Sequence, residues 1–216
     1  GSYVVHGSVA VTRFGMQQRS GSADLTVGIG ARLRNDQWRA GQWTDATTTY
    51  TDDTVDAQDI GASDFALEVA ATDNDGFVIL SRHKFNWVSI NVGTAGVGAT
   101  TDRVVRYSNL AGTGWTDLGT NQTFDGSDSF TATNTVWAAG ENVFVWNPPL
   151  NWGRTAAAGG IGTNISDGYY ALNVRATTAP ATTAALATAI EIGVLLAVGN
   201  VDDDGTFGME NCFLWE

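Results

Sequence analysis

The chain contains few cysteines, histidines and lysines, and each shortage excludes a class of protein. Its 216 residues include one cysteine, two histidines and a single lysine, Lys84. One cysteine, Cys212, cannot form an intrachain disulfide, so the fold differs from the small secreted scaffolds that disulfides stabilise. Cys212 lies in MENCFLWE, a segment typical of a strand, and we expect a packed thiol.

Motifs for catalysis are also missing from the sequence. Neither His6 nor His83 has a partner at the spacing of a zinc motif. No G-x-S-x-G elbow is present, and the segments GTAGVG and GGIGTN lack the patterns that bind phosphate. Carboxylates could pair in space as they do in glycosidases, but the sequence indicates no such pair. We therefore expect a protein that is not an enzyme and has no cofactor.

Charge is scarce and mostly negative. Charged residues make up 16% of the chain, and the net charge is −12. Such a surface repels phosphate backbones and anionic lipids, so we expect no nucleic-acid or membrane partner. The most apolar stretch, Ala184 to Val198, is too short to span a bilayer. The first residues do not resemble a signal peptide, and we expect a soluble protein made in a cytoplasm.

The chain is rich in short alternating segments. Leu25 to Leu33 alternates apolar residues with Gly28, Gly30 and polar residues, which predicts a strand with one buried face. The two glycines would let a neighbour approach closely, and that neighbour could be another chain. Similar short runs separated by turns continue to the end of the sequence. They predict an all-β fold, an antiparallel β-sandwich of jelly-roll type.

Two hairpins are predicted within this pattern. The first covers Phe65 to Arg82, with a turn at Asp73–Gly76, and the second covers Ile190 to Trp215, with a turn at Asp202–Gly205. Both acidic turns could serve only the backbone, or they could bind calcium. The alanines between Thr182 and Ala189 leave a short helix open as an alternative there.

We divide the chain at residue 60. Residues 1–60 are predicted to be an extended N-terminal arm with one or two strands, and residues 61–216 to be the β-sandwich domain. Within the arm, Asp36 to Ala62 is polar and long for a loop. We interpret it as an extended connection held in place by Trp38 and Trp43.

Two sets of residues are candidates for contact with partners. Trp146 and Trp152 flank the prolines of WNPPLNW and could form an aromatic surface that stacks on a sugar, or they could plug the end of the sandwich. Arginines concentrate in the N-terminal part, where they could dock onto an acidic neighbour or simply be solvated. These candidate capsid-contact residues are Arg13, Arg19, Arg32, Arg34 and Arg39.

Four segments of the chain carry a resemblance to a known group of proteins. They are KFNWVSINVGTAGVG, VVRYSNLAGTGWTDL, FVWNPPLNWGRT and YYALNVRATTAPAT. Together they resemble a β-rich domain of tailed-bacteriophage structural proteins, which include head-decoration, cement and tail-associated components. The resemblance covers roughly the second half of the chain, and residues up to about Asp59 have no counterpart in it.

The resemblance implies a virion structural protein. Such a protein would decorate or cement a phage capsid by binding across major capsid subunits, on the capsid exterior, after assembly in the host cytoplasm. A homo-oligomer is expected, with a trimer favoured because capsid junctions have threefold symmetry. The N-terminal arm would act as a clamp by adding a strand to a neighbour. Deleting Gly1 to Arg39 should then abolish attachment while the β domain stays folded.

Two other functions remain open at this stage. The tryptophan-rich loops and acidic turns also fit a tail or fibre-associated β-sandwich module that binds host glycans. A carbohydrate-binding module of a secreted enzyme is a third interpretation, although no signal peptide or linker is visible in the sequence.

Overall fold

The computed structural model describes residues 25–62, 64–69, 74–97, 101–119, 132–135, 137–156, 160–177, 183–201 and 207–212. Within these ranges the strands form two antiparallel sheets that pack face to face. The predicted all-β antiparallel sandwich is therefore confirmed.

The elements follow one another in chain order, with very little helix. A 3-10 turn at Asn35–Gln37 and the helix α1 (Thr54–Gln58) are the helical elements of the described ranges. The strands are β1 (Leu25–Arg32), β2 (Trp38–Thr44), β3 (Thr49–Asp52), β4 (Phe65–Ala66), β5 (Gly76–Ser81), β6 (Trp87–Thr94), β7 (Thr101–Ser108), β8 (Trp115–Asp117), β9 (Ala132–Thr135), β10 (Gly140–Val145), β11 (Tyr170–Ala176), β12 (Leu186–Val201) and β13 (Phe207–Cys212).

Sheet A is organised around the long strand β12. Its strand order is β1-β12-β6-β10, and β4 and β13 also pair with β12. The register of β1 against β12 shifts between Ile29 and Gly30. A Cβ atom at Gly30 would collide with the carbonyl oxygen of Val194 and with Leu195, so this position requires glycine. The close neighbour expected from the glycine pattern is therefore β12 of the same chain at this position.

Sheet B has the order β3-β2-β5-β11-β7-β8, and β9 pairs with β7. Its central strand β5 is buried along its whole length. Phe77 and Ile79 point into the space between the sheets, whereas Val78 and Leu80 belong to a second apolar cluster on the other side. Both faces of sheet B are therefore covered.

Aromatic side chains fill the space between the two sheets. Trp146 and Trp152 lie 5.5 and 5.2 Å from the Phe85 ring, and Trp137 lies 5.7 Å from Phe144, measured between ring centroids. Apolar residues that alternate along β6 and β11 also face this core; they are Val88, Ile90, Val92, Leu172 and Val174. Large rings let short strands bury much apolar area, which is the main source of stability in such a fold.

The first predicted hairpin is wrong. Asn74 has a positive φ of 67°, as the turn chemistry implies. However, β4 pairs with β12 in sheet A, and β5 pairs with β2 and β11 in sheet B. The turn therefore carries the chain from one sheet to the other. The second predicted hairpin is confirmed, because β12 and β13 pair antiparallel from Ala197 to Val201, although its turn lies outside the described residues.

The described part of the predicted arm belongs to the sandwich. β1 is an edge strand of sheet A, and β2 and β3 form one side of sheet B. The polar connection expected over Asp36–Ala62 is wrong, since this segment contains β2, β3 and α1. Trp38 and Trp43 are buried on opposite faces of sheet B, because neighbouring strand residues alternate between faces. Residues 1–24 lie outside the described ranges.

The short helix considered between Thr182 and Ala189 does not form in the described part of that segment. β12 begins at Leu186, and Leu186 pairs with both Ala66 of β4 and Thr94 of β6. The β-branched residues that follow in β12 favour a strand, and the neighbouring strands supply partners for its backbone.

Candidate functional site

The arginines predicted to contact a capsid are dispersed. Arg13 and Arg19 lie outside the described residues. Arg32, at the end of β1, forms an ion pair of 2.6 Å with Glu191 of the adjacent strand β12. Both side chains are about one-third exposed. This arginine therefore stabilises a pairing within sheet A and has a carboxylate partner from its own chain.

Arg34 and Arg39 are paired in the same way. Nη2 of Arg34 lies 2.6 Å from Oδ2 of Asp36, while its Nε donates a hydrogen bond of 3.0 Å to the other carboxylate oxygen. Arg39 lies 3.6 Å from Asp52 of the neighbouring strand β3. An external acidic partner would have to compete with these carboxylates, which weakens the case for either residue as a docking group.

The predicted aromatic surface is wrong, because Trp146 and Trp152 are buried. Their side chains are 0% and 2% exposed, so neither ring can stack on a sugar. Nε1 of Trp152 donates hydrogen bonds of 3.2 Å to the Ser108 hydroxyl and to the Ala171 carbonyl. The other interpretation, in which these tryptophans form part of the core, agrees with their burial.

The acidic turns are occupied by interactions within the chain where the structure describes them. Asp75 is buried, and its Oδ1 accepts a hydrogen bond of 2.8 Å from the backbone N–H of Asp45. Near α1, burial and a hydrogen bond with Asp56 raise the pKa of Asp53 above its ordinary value. Among the residues that the structure describes, no three acidic, histidine or cysteine side chains are grouped as metal ligands.

A different set of side chains gathers at one end of sheet B. We call it the cation–tyrosine patch, and it consists of Arg82, Lys84, Arg154, Tyr169 and Tyr170. The guanidinium carbon of Arg82 lies 5.1 Å from the centre of the Tyr169 ring. Its Nη2 also donates a hydrogen bond of 3.3 Å to the Tyr169 hydroxyl. Both contacts hold the Arg82 side chain in a defined position on the protein surface.

Tyr170 carries the other two cations of the patch. Arg154 lies 5.2 Å from the centre of its ring, and the Lys84 ammonium nitrogen lies 6.0 Å from it. Arg154 also donates a hydrogen bond of 3.3 Å from Nη2 to the backbone carbonyl of Arg82. Lys84 and Arg154 therefore share the ring of Tyr170, and Arg154 is linked to Arg82 through the backbone carbonyl of Arg82.

The local backbone fixes where Arg154 can lie. Gly153 donates a hydrogen bond of 3.2 Å to the carbonyl of Ser108, and a Cβ atom here would collide with the carbonyls of Asn109 and Leu110. Glycine is therefore required by this close approach. The next residue, Arg154, forms a β-bridge with Tyr170, so the cation and its ring are joined through the main chain.

The exposed or half-buried cations of the described ranges that form no ion pair there are those of the patch. Arg103 differs from them because it is buried, with its guanidinium carbon 4.1 Å from the centre of the Trp137 ring. Within the part of the chain that the structure describes, no carboxylate lies within 4.0 Å of the charged atoms of Arg82, Lys84 or Arg154. The arginines that do form ion pairs are Arg32, Arg34, Arg39, Arg106 and Arg175.

A shallow depression of about 270 Å³ lies next to the patch on the outer face of sheet B. Tyr169 belongs to both, and the depression is also lined by Arg39, Asp52, Asn164 and Ser166. Its lining offers both hydrogen-bond donors and acceptors. It extends the surface around Arg82 with polar groups that an extended partner could contact.

The sequence contains one signal that could have indicated this patch. Arg82 and the only lysine, Lys84, flank His83 in the most basic tripeptide of an acidic chain. Arg154 lies 72 residues further on, and no local pattern shows that it meets the same surface. Its position follows from the pairing of Arg154 with β11.

Comparisons with known proteins give no relative for this chain. No protein-family model matches it, and no match was found among curated proteins or solved structures. In the described ranges, the helices are too short or too polar to cross a bilayer.

Proposed function

We propose that the chain is a virion structural protein that decorates or cements the capsid of a tailed bacteriophage by binding across major capsid subunits. The four segments that resemble phage structural domains support this proposal. The structural observation that carries it is the cation–tyrosine patch, a group of ordered cations that have no carboxylate partner among the described residues of this acidic chain. Such a surface is suited to adhesion to another protein.

The composition of the patch favours a protein partner. Arginine and tyrosine are enriched where proteins bind each other, and they supply a large share of the binding energy. Here Arg82 and Arg154 are exposed, while the rings beneath them, Tyr169 and Tyr170, are buried or half-buried. The rings support the guanidinium groups without being available as stacking platforms themselves.

The glycan-binding alternative loses the observation on which it was based. It relied on the tryptophan-rich loops and the acidic turns, and Trp146, Trp152 and the turn residue Asp75 are buried. The two tyrosines of the patch are already in contact with cations. A host glycan would have to displace those contacts before it could stack on either ring.

The remaining parts of the proposal concern assembly. A homotrimer over a threefold junction of the shell would present three copies of the patch, and several weak contacts of this kind add up to strong attachment. The site of action would be the capsid exterior, with assembly in the host cytoplasm. Residues 1–24 would supply the clamp, by adding a strand to a neighbouring subunit.

Labelling of intact particles tests the proposed function. Gold-conjugated antibodies raised against the purified chain are applied to virions produced by the cells that encode it. The bound gold particles are then located by electron microscopy. We expect label distributed over the shell. Label at the tail would favour the tail-associated alternative, and particles without label would contradict a virion role.

A further inference from the structure

We propose that the cation–tyrosine patch is a docking site for an acidic protein segment, one that presents a short run of aspartate or glutamate side chains. This inference deepens the proposed function and rests on it for the identity of the partner, which would be an acidic surface of the major capsid protein. The chemistry of recognition follows from the patch itself.

The first argument is that the side chains of Arg82 and Arg154 are already ordered before a ligand binds. A free arginine loses side-chain entropy when it is fixed in an ion pair, which cancels much of the gain at exposed sites. Arg82 is already held by the ring and hydroxyl of Tyr169, and Arg154 by the ring of Tyr170 and the carbonyl of Arg82. A carboxylate that meets these groups therefore incurs a smaller entropy cost than it would at a mobile arginine.

The second argument is charge. Arg34 and Arg39, the other exposed arginines of the described ranges, have carboxylate partners in the chain itself, and so does the partly exposed Arg32. In the patch no such partner is found among the described residues, so none of those residues competes with an external carboxylate there. Arginine presents its donors as a planar fork that matches a carboxylate, which adds geometric selectivity to the attraction.

The third argument concerns the size of the ligand. The patch has three cations, whereas the whole chain carries a net charge of −12. A long polyanion such as nucleic acid would extend beyond the patch and be repelled by the remaining surface. A short acidic segment that projects from a folded partner can contact the cations alone. The local charge therefore favours a protein segment over a nucleic acid.

Binding of a fluorescent oligoglutamate peptide to the full chain tests this inference. The test variant is Arg82→Gln/Arg154→Gln, and the matched control is Arg32→Gln/Arg34→Gln. Both double variants lose two positive charges from exposed arginines, but only the first changes the patch. We expect the test variant to bind the peptide roughly tenfold more weakly, as estimated from two exposed ion pairs. The control should bind like the wild type.

Further measurements separate the effect of the patch from effects of folding and of net charge. Far-ultraviolet circular dichroism should show that all variants remain folded, and Arg82→Lys/Arg154→Lys should restore part of the binding because it restores the charge. Weakening of the wild-type affinity with rising salt is expected for contacts at the surface. Equal losses in test and control variants would overturn the inference, because they would reflect net charge alone. An absence of peptide binding by the wild type would also overturn it.

Competing ligands decide the class of partner. Inorganic pyrophosphate and a single-stranded oligonucleotide are tested in the same assay, and either one binding the patch more tightly than the peptide would overturn the assignment to an acidic protein segment. Self-association that disappears in Arg82→Gln/Arg154→Gln would instead identify a second copy as the occupant, which would also overturn it. Particle labelling is a separate measurement, so failure of the virion role and failure of the patch can be distinguished.

Discussion

The two faces of sheet B are buried by different means. The inner face packs against sheet A through large aromatic and aliphatic side chains, including Phe77 and Tyr107. The outer face has a smaller apolar cluster, in which Ile161 and Tyr169 from the segment before β11 cover residues such as Leu80. The inner face therefore supplies most of the apolar burial, whereas the outer face positions a surface segment.

The inner face therefore contributes mainly to stability, whereas the outer face positions surface side chains. The outer cluster holds Tyr169, which carries Arg82 of the cation–tyrosine patch. It is flanked by a polar network in which Arg106 donates hydrogen bonds of 3.1 and 2.7 Å to Oδ1 of Asn173. Asp45 lies 3.4 Å from Arg106 and 3.7 Å from Arg175. The outer layer thus fixes Arg82 through Tyr169, while Lys84 and Arg154 lie over Tyr170, which packs against the inner core.

Removing a large side chain from the inner face should cause the greatest loss of stability among the substitutions considered. We expect Trp152→Ala to lower the free energy of unfolding by about 3–5 kcal/mol, because it opens a cavity among Phe85, Tyr107 and Tyr170 and removes the hydrogen bonds that Nε1 donates to the Ser108 hydroxyl and the Ala171 carbonyl. Urea unfolding measures the change. Trp152→Phe, which keeps an aromatic ring, should lose less, and a loss below about 1 kcal/mol in Trp152→Ala would contradict the role of this residue in the core.

Removing a charge from the outer polar network should lower the free energy of unfolding by a smaller amount. Arg106→Met removes the hydrogen bonds to the buried Asn173 and the contact with the Trp115 ring at 5.5 Å. Leaving a buried amide oxygen without a partner costs about 1–3 kcal/mol of unfolding free energy, measured again by urea unfolding. Burial and the nearby Arg175 lower the pKa of Arg106, which limits the net contribution of its charge.

The matched variant for this prediction is Arg175→Met. Arg175 makes the longer contact with Asp45, at 3.7 Å, so its replacement should be less costly than that of Arg106. If the two variants lost equal stability, the hydrogen bonds to Asn173 would not be the main contribution of Arg106.

A third test concerns the N-terminal clamp. β1 pairs with β12 from Leu25 to Arg32, and Trp38 of β2 is buried in the core. Deleting residues 1–39 would therefore remove an edge strand and part of sheet B, and the domain should not stay intact. Deleting residues 1–24, which removes none of the described strands, should weaken particle attachment. Full attachment by this shorter truncation would exclude a clamp in that segment.

The sequence predicted the sandwich because alternation reports which residues face a core. In the rows Val88, Ile90, Val92 and Tyr170, Leu172, Val174, five residues lie in the core as their period of two implies, and the partly buried Tyr170 packs against it. It did not predict the partner of each strand, because a turn motif such as the one at Asn74 fixes a change of direction and leaves the pairing open. β5 found partners on both sides from distant parts of the chain.

The outer layer was missed although one signal was present. The run from Phe77 to Leu80 is apolar at every position, which is typical of a strand buried on both faces. From this run one can infer that another segment of the chain covers the outer face, but the run does not identify that segment. Ile161 and Tyr169 from the segment 160–169 supply this cover. Arg154, which precedes that segment in the chain, forms a β-bridge with Tyr170. Contacts over such sequence distances depend on packing, which no local pattern records.

The smallest expected effect concerns the buried carboxyl group of Glu68. Glu68 is 2% exposed, and its Oε1 accepts a hydrogen bond of 3.3 Å from the backbone N–H of Ala185. Burial raises the pKa of Glu68, while the Ala185 N–H and the nearby Arg103 partly oppose this shift. The folded state therefore holds the proton more tightly than the unfolded state does. This contribution to stability is complete below the ordinary pKa and is lost as pH rises through the raised value.

Glu68→Gln removes that dependence, because the amide side chain does not titrate. Urea unfolding between about pH 4 and pH 7 should show a wild-type stability that declines with pH more steeply than that of the variant. Asp53 has a pKa raised by burial and by Asp56, and it shifts stability in the same direction. Asp53→Asn therefore serves as the control, and it should flatten the profile independently of Glu68→Gln. Identical slopes in wild type and Glu68→Gln would mean that the carboxyl group of Glu68 reaches solvent and titrates normally.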